Sequence, residues 1–303
     1  MSGPGVGPGA PTTTGMVVVD KEVGWTSHDV VARCRRVFGQ RRVGHAGTLD
    51  PDATGVLLVG LGRFTRMLRF LTALPKSYEA EVVLGEATST LDASGAVTGT
   101  WDMRDVTLTE VRHAAAGLVG TIDQVPPMVS ALKVGGRRLH ELARAGVEVA
   151  RQARPVTVTR FDVEPAPDAT PGVFRIVVDC STGTYVRVLA ADLGTALGGG
   201  AHLRRLRRTR VGSFGVGEAH ALGALTPAHV LTPAQALRDL AQVEVDPTLA
   251  RSVSHGLALD RVSVGAAGDG PWAMVDGRGM LLAVYDATDT DRMVAAAVLA
   301  GSG

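Results

Sequence analysis

The chain has 303 residues, 45% of them hydrophobic, and a formal net charge of +1 at pH 7. That length accommodates two domains, or one large domain with a smaller appendage, around a substantial core. No apolar run reaches bilayer-spanning length, no signal-peptide pattern precedes the fold, and Cys34 and Cys180 show no metal-ligand spacing with the histidines. A cytoplasmic protein with reduced core thiols is expected, with no membrane segment and no metal.

Residues 1–15, Gly, Pro, Thr and little else, read as a disordered leader. Met16–Asp20 is a short apolar strand. Ser27 is placed to cap a helix whose stripe is Val30, Val31, Cys34, Val37 and Phe38, stopped by Gly39. Tyr78–Leu84 alternates, with Tyr78, Ala80, Val82 and Leu84 on one face. Thr107 and Glu110 form a capping box for a helix running to Leu118, and Arg137–Ala145 reads as another helix closed by Gly146. Val156–Phe161 and Val173–Cys180 are neighbouring strands, and Gly183-Thr184-Tyr185 opens a helix ending at Gly198. Thr226–Leu237 is a connection or a last helix. Trp272–Val275, Met280–Tyr285 and Met293–Leu299 are strands of a small β-rich domain. Strands and helices without regular alternation, and no GxGxxG after a strand, indicate an α+β fold.

One carboxylate stands out. Asp50 lies in the glycine-rich run Gly44-His45-Ala46-Gly47-Thr48-Leu49-Asp50-Pro51-Asp52-Ala53-Thr54-Gly55, followed by the apolar anchor Val56–Val59. Taken alone, an Asp before Pro is an ordinary turn initiator. The same loop also presents a reactive group on a buried base. Asp52, the rival acid, reads as a solvated turn residue. Arginines cluster at Arg33, Arg35, Arg36, Arg41 and Arg42, at Arg137 and Arg138, and at Arg204, Arg205, Arg207, Arg208 and Arg210. These are either solvated helical faces or phosphate-binding patches.

The run from Arg42 to Gly55 resembles the catalytic motif of TruB-type tRNA pseudouridine synthases. The resemblance extends through Asp20-Lys21-Glu22-Val23-Gly24-Trp25-Thr26-Ser27, Lys76-Ser77-Tyr78, Val125–Lys133, Ala153–Val156, Gly183–Arg187 and Ala201–Arg208, in order over residues 16–215. Val129 and His140 depart from it, standing where many members carry Tyr. The implied architecture is a mixed, largely antiparallel sheet of the pseudouridine synthase fold with flanking helices. It would occupy residues 16–222, with a linker helix and a small PUA-like RNA-binding domain over 223–303.

The implied reaction isomerises uridine 55 in the T loop of tRNA to pseudouridine, with no redox change and no cofactor. Asp50 would be the nucleophile, attacking C1′ or C6 or acting first through a 2′ proton. Arg187 would keep it ionised. Tyr78 would stack on the flipped base and Tyr185 would wall the pocket. Leu206 would touch the uracil. His45 either fills the space the base vacates or is a hydrogen-bonded core histidine. Lys21 braces the loop or meets a phosphate. Arg41, Arg42, Arg137, Arg204, Arg205, Arg207 and Arg208 would hold the tRNA backbone. The partner is the tRNA T arm, bound by a monomer that needs no protein partner. Two alternatives stand beside this reading. One is a tRNA-binding, RNA-folding chaperone with secondary chemistry. The other is a guide-RNA synthase, whose long basic extensions are missing from this sequence.

Overall fold

The computed structural model describes residues 13–130, 133–134, 137–138, 147, 149–168, 170–288 and 291–299. In chain order, β1 (Gly15–Lys21) is followed by α1 (Ser27–Val37), β2 (Val43–Ala46), β3 (Thr54–Leu61), a 3-10 turn (Gly62–Met67) and α2 (Leu68–Ala73). Next come β4 (Lys76–Leu84), β5 (Glu86–Thr88), β6 (Val97–Thr100), α3 (Leu108–Ala116), β7 (Gly120–Gln124), β8 (Lys133–Val134) and β9 (Arg137–Arg138). β10 (Arg154–Pro165), β11 (Val173–Cys180), α4 (Val186–Ala196), β12 (Ala201–Val211), β13 (Phe214–Gly215) and β14 (His220–Ala221) follow. The chain continues with α5 (Pro233–Ala236), β15 (Ala241–Val245), α6 (Pro247–Ser254), β16 (Leu259–Asp260), β17 (Trp272–Asp276), β18 (Leu281–Ala287) and β19 (Arg292–Val298).

Several expectations change. The cap of α1 is Thr26, not Ser27: Thr26 Oγ1 accepts from the Asp29 amide at 3.1 Å, and Asp29 Oδ2 accepts from the Thr26 amide at 3.0 Å. This reciprocal box leaves the Ser27 hydroxyl for a different partner. Arg137 and Arg138 do not open a helix but pair as β9 with β8; the rest of that segment, with His140, lies outside the described residues, as do residues 1–12. The arginine-rich run after Ala201 is a strand, not a helical face, because it pairs along nearly its whole length with β4. Thr226–Leu237 resolves into a 3-10 turn at Pro227–His229 and the short α5.

By its contacts the chain divides into two compact units, Met1–Pro51 with Val56–Thr72 and Gly212–Gly303, and Asp52–Gly55 with Ala73–Val211. In the first unit β3 pairs antiparallel with β2, from Val43↔Leu61 to Ala46↔Leu58. β1 lies between β3 and β14 and runs parallel to β14. This unit also contains a five-stranded sheet in the order β15-β17-β18-β19-β16. Trp272, Met274, Ala283, Tyr285 and Met293 fill its core against Val253 of α6. The polar tips of its aromatics are satisfied, Tyr285 Oη donating to Leu257 O at 2.8 Å and Trp272 Nε1 to Ala267 O at 2.7 Å. Arg66 and Arg69, around α2, donate to the Val298 and Ala296 carbonyls at 3.3 and 2.6 Å and so tie this sheet to the rest of the unit.

The second unit is an antiparallel sheet in the order β12-β4-β11-β10-β7, with α3 and α4 packed on it. β4 alternates as its sequence predicts: Tyr78, Ala80, Val82 and Leu84 are buried and Glu79, Glu81 and Val83 half-buried. Val82, Ile176, Val178, Leu189 and Leu193 are fully buried, each contributing about 1.5–3 kcal/mol. Thr54 and Gly55, the first residues of β3, belong to this unit and run parallel to Arg207 and Arg208.

Gly55 has φ +102°, and a Cβ there would lie 2.1 Å from the Arg208 carbonyl oxygen. No L side chain fits both demands. Gly55→Ala is therefore expected to destabilise the protein by at least about 2 kcal/mol, read as a lowered urea midpoint. An unchanged midpoint would refute this close strand approach.

Candidate active site

Asp50 lies in the connection of the β2–β3 hairpin, half-buried, with the backbone turned at Gly47 (φ +84°). Its neighbours on both sides are tied down from one short segment. Before it, Leu49 is held by Ser27, whose Oγ accepts from the Leu49 amide at 2.9 Å and donates to the Leu49 carbonyl at 3.2 Å. After it, the Pro51 carbonyl accepts from Lys21 Nζ at 3.0 Å and from the Gly24 amide at 2.9 Å. Lys21 also donates to the Glu22 and Trp25 carbonyls at 3.0 and 2.7 Å. An ammonium has three donors, and three carbonyls meet them, which is what allows Lys21 to sit at 0% exposure. Lys21 thus ties the loop to the segment Glu22–Trp25. His45, on β2, stands edge-on to His28 of α1, ring centroids 5.5 Å apart.

The second unit presents a different cluster. Arg187, in the first turn of α4, is 4% exposed. Its Nη1 donates to Thr90 O at 3.0 Å and Asp92 Oδ2 at 3.2 Å, and its Nη2 to Val129 O at 2.8 Å. Val129 serves through its carbonyl, so Val in place of Tyr leaves this contact intact. Asp92 is itself fixed, its Oδ1 accepting from Thr90 Oγ1 and Ser94 Oγ, each at 2.6 Å, and from the Ser94 amide at 3.1 Å. Leu91 before it has φ +62°, and among the described residues it is the one non-glycine residue in the left-handed region. That strain costs on the order of 1–3 kcal/mol and holds the Thr90 and Asp92 oxygens toward one guanidinium.

Tyr185 begins α4. Its amide donates to Gln124 Oε1 at 2.7 Å, and Gln124 Nε2 donates to its carbonyl at 3.2 Å. Tyr78, 7% exposed, faces Arg208 across the β4–β12 ladder and Val178 across the β4–β11 ladder. Leu206, half-buried, is opposite Ala80.

The β12 arginines separate into distinct roles. Arg208, expected at a phosphate, is 1% exposed and lies in the buried sheet opposite Tyr78. Arg204 pairs with Glu81 and Asp168, both at 2.8 Å. Arg207 approaches Thr54 Oγ1 at 3.4 Å, and Arg205 keeps a side chain that is 74% exposed. Arg41 and Arg42 are exposed. The Arg137 side chain lies outside the described residues. Sequence reasoning missed Asp92, Thr90, Gln124 and the loop-holding role of Ser27. The Asp92-Ala93-Ser94-Gly95 turn pattern was the one legible hint.

The TruB family pseudouridylate synthase N-terminal domain matches residues 35–186, and the tRNA pseudouridylate synthase B C-terminal domain matches 187–245. The chain belongs to the TruB family. It is 48% identical over 291 residues to the tRNA pseudouridine synthase B of Mycobacterium sp. (strain KMS), covering 94% of each chain. To that of Mycobacterium bovis (strain BCG / Pasteur 1173P2) it is 46% identical over 277 residues, 90% of this chain and 92% of the relative. Among solved structures, a Cbf5–Nop10–Gar1 complex matches with TM-score 0.73 and 25% identity, over 94% of this chain and 84% of that one. An H/ACA RNP bound to a substrate RNA containing 2′-deoxyuridine shares the fold, with TM-score 0.70 and 23% identity over the same shares.

For this TruB-family chain, Asp92→Asn is expected to lower kcat for pseudouridine formation by about 10²-fold with little change in KM, because Arg187 loses its orienting charge. Equal loss in KM alone would show that Arg187 only binds. Lys76, 7% exposed, donates to Leu74 O at 2.6 Å. Burial, aided by the Arg208 charge, pushes its ammonium down to about 8. An unfolded lysine titrates near 10.4. Between these values the unfolded chain holds more protons, so this residue's contribution to stability grows with pH across the window and is lost as pH falls through 8. Lys76→Met should therefore gain stability over the native protein at pH 7.5, and that advantage should shrink by pH 10. A constant difference in unfolding midpoint would refute it.

Proposed function

We infer that this enzyme isomerises uridine 55 in the T loop of tRNA to pseudouridine, with Asp50 as the nucleophile. The observation that carries this is the double hold on Leu49 and Pro51, which fixes the backbone on both sides of Asp50 while its carboxylate stays half-buried. A nucleophile needs that combination of fixed direction and access. In the reaction the C1′–N1 bond breaks, the base turns and a C1′–C5 bond forms, C5 giving up a proton and N1 taking one. Electrons and atoms balance within the uridine, so the chemistry calls for no cofactor.

Arg187 is the cation that keeps Asp50 ionised under a covering base, and its three oxygen contacts orient it before substrate arrives. Tyr78 stacks on the flipped uracil, with Tyr185 and Leu206 lining the pocket and His45 occupying the space the base leaves. Arg41, Arg42, Arg137, Arg205 and Arg207 contact the T-arm backbone. The five-stranded C-terminal sheet is a PUA-like RNA-binding domain. The enzyme acts as a cytoplasmic monomer; among the described residues no helix is long and apolar enough to cross a membrane.

Asp50→Asn is expected to abolish pseudouridine at position 55, read by mass mapping of tRNA transcripts, while Kd for tRNA stays within about tenfold, because the lost group acts on the transition state. Wild-type turnover in this variant would remove Asp50 as nucleophile. It would leave the RNA-folding alternative in place.

A further inference from the structure

Gln124 is the last residue of β7 and, among the five residues of that strand, the one that is buried, at 2% exposure. β7 is the edge strand of its sheet, with Thr121 and Asp123 exposed and even Ile122 half-buried. A polar side chain in the one covered position of such a strand is held there by its partners, not by apolar packing. Both partners belong to one residue: Oε1 accepts from the Tyr185 amide at 2.7 Å, and Nε2 donates to the Tyr185 carbonyl at 3.2 Å. An amide that meets the N–H and the C=O of the same residue fixes how that residue is turned as well as where it lies. Tyr185 is also where the chain, still extended at φ −104° and ψ 106°, enters α4 without a side-chain cap of its own. Gln124 supplies from the sheet the partner that this first amide of the helix otherwise lacks.

The same stretch meets α4 again two residues further on. Val129, five positions after Gln124, accepts from Arg187 Nη2 at 2.8 Å. Between them Pro126 and Pro127 are buried and their rings fix φ, and the Pro126 carbonyl accepts from Arg151 Nη1 at 3.1 Å. The span from Gln124 to Val129 is therefore stiff and pinned to the first turn of α4 at both ends, at Tyr185 and at Arg187. The connection that leads into α4 is tied to the sheet as well. At its start the Ser181 amide donates to Thr157 O at 2.8 Å, and the Thr157 amide donates to Ser181 Oγ at 2.9 Å. β10 thus holds the beginning of this connection, and Gln124, paired with Arg154 of β10 in the ladder, holds its end.

We propose that Gln124 is a positioning residue for the isomerisation: its amide sets the direction of Tyr185 and, through the first turn of α4, the direction of the Arg187 guanidinium. The inference rests on the roles given to Arg187 and Tyr185 above, and it extends the site by a group that acts only through its hold on α4. A misplacement of about 1 Å at a reacting site costs about 10²-fold in rate, while the surface that sets RNA affinity is left alone.

The test is pseudouridine formation on a T-arm transcript by Gln124→Met, which keeps the length and loses both hydrogen bonds, and by Gln124→Glu. Both kcat and KM are measured at a temperature where melting curves show each variant folded. Expected for Gln124→Met is a kcat lower by about 30-fold with KM within about threefold of wild type. Combining it with Arg187→Lys should add little further loss, because groups that act as one unit are not additive. Gln124→Glu carries its own check. A protonated carboxyl donates to the Tyr185 carbonyl and accepts from its amide as the native side chain does, whereas a carboxylate repels the carbonyl. Burial raises the pKa of such a carboxyl, so the kcat of this variant relative to wild type should rise about fivefold from pH 8 to pH 6. A purely structural role would move the melting midpoint and leave that ratio flat.

A kcat of Gln124→Met within about twofold of wild type overturns the proposal, as does a loss confined to KM or one that adds in full to that of Arg187→Lys. If Gln124→Met does not fold, the ratio for Gln124→Glu decides, and a flat one overturns the proposal. A wild type that forms no pseudouridine in the T arm sinks the functional reading itself. Turnover by wild type with Gln124→Met unaffected removes only the role of Gln124.

Discussion

The fully buried ammonium of Lys21 is the constraint on which the Asp50 loop depends. A charge at 0% exposure needs polar partners inside the fold, and the Glu22, Trp25 and Pro51 carbonyls accept from it. One of those three belongs to the residue after Asp50, so stable burial of the lysine and the placement of the loop are the same event. Ser27 does the equivalent at Leu49 with a neutral hydroxyl, donating and accepting at once. Because Thr26 takes over the capping of α1, Ser27 is available for this. Between the two anchors the chain has a single residue left, and it is the carboxylate.

Arg187 is treated the same way in the second unit. A guanidinium at 4% exposure requires partners in its own plane, and Thr90 O, Asp92 and Val129 O meet it. The left-handed Leu91 shows that the loop accepts backbone strain to bring those oxygens in. Polar groups are thus oriented by buried contacts of their own, not by the RNA, and preorganisation of this kind is where electrostatic catalysis gains most.

Arginine content alone does not mark an RNA-binding surface in this protein. β12 carries Arg204, Arg205, Arg207, Arg208 and Arg210 within seven positions, yet strand pairing sends one into the core and gives another to Glu81 and Asp168. Arg41, Arg42, Arg63 and Arg278 come from three distant stretches of sequence and share one groove without an acid among them. Charge that remains unneutralised after folding is what a phosphate backbone can use.

Local chemistry was readable from the chain itself. The alternation of Tyr78–Leu84, the Thr107–Glu110 box, the β10–β11 pair, the helix after Tyr185 and the glycine-rich Asp50 loop all follow from side-chain period and backbone freedom, which depend on near neighbours. The ordered motifs were sufficient to indicate the family. Tertiary structure alone decided which carbonyls enclose Lys21, that Ser27 holds Leu49 instead of capping a helix, that Asp92 faces Arg187 from 95 residues away, and that Arg208 is buried. The reason is physical: a buried polar group must find partners wherever the packed chain supplies them, and sequence spacing carries no record of contacts made across the fold.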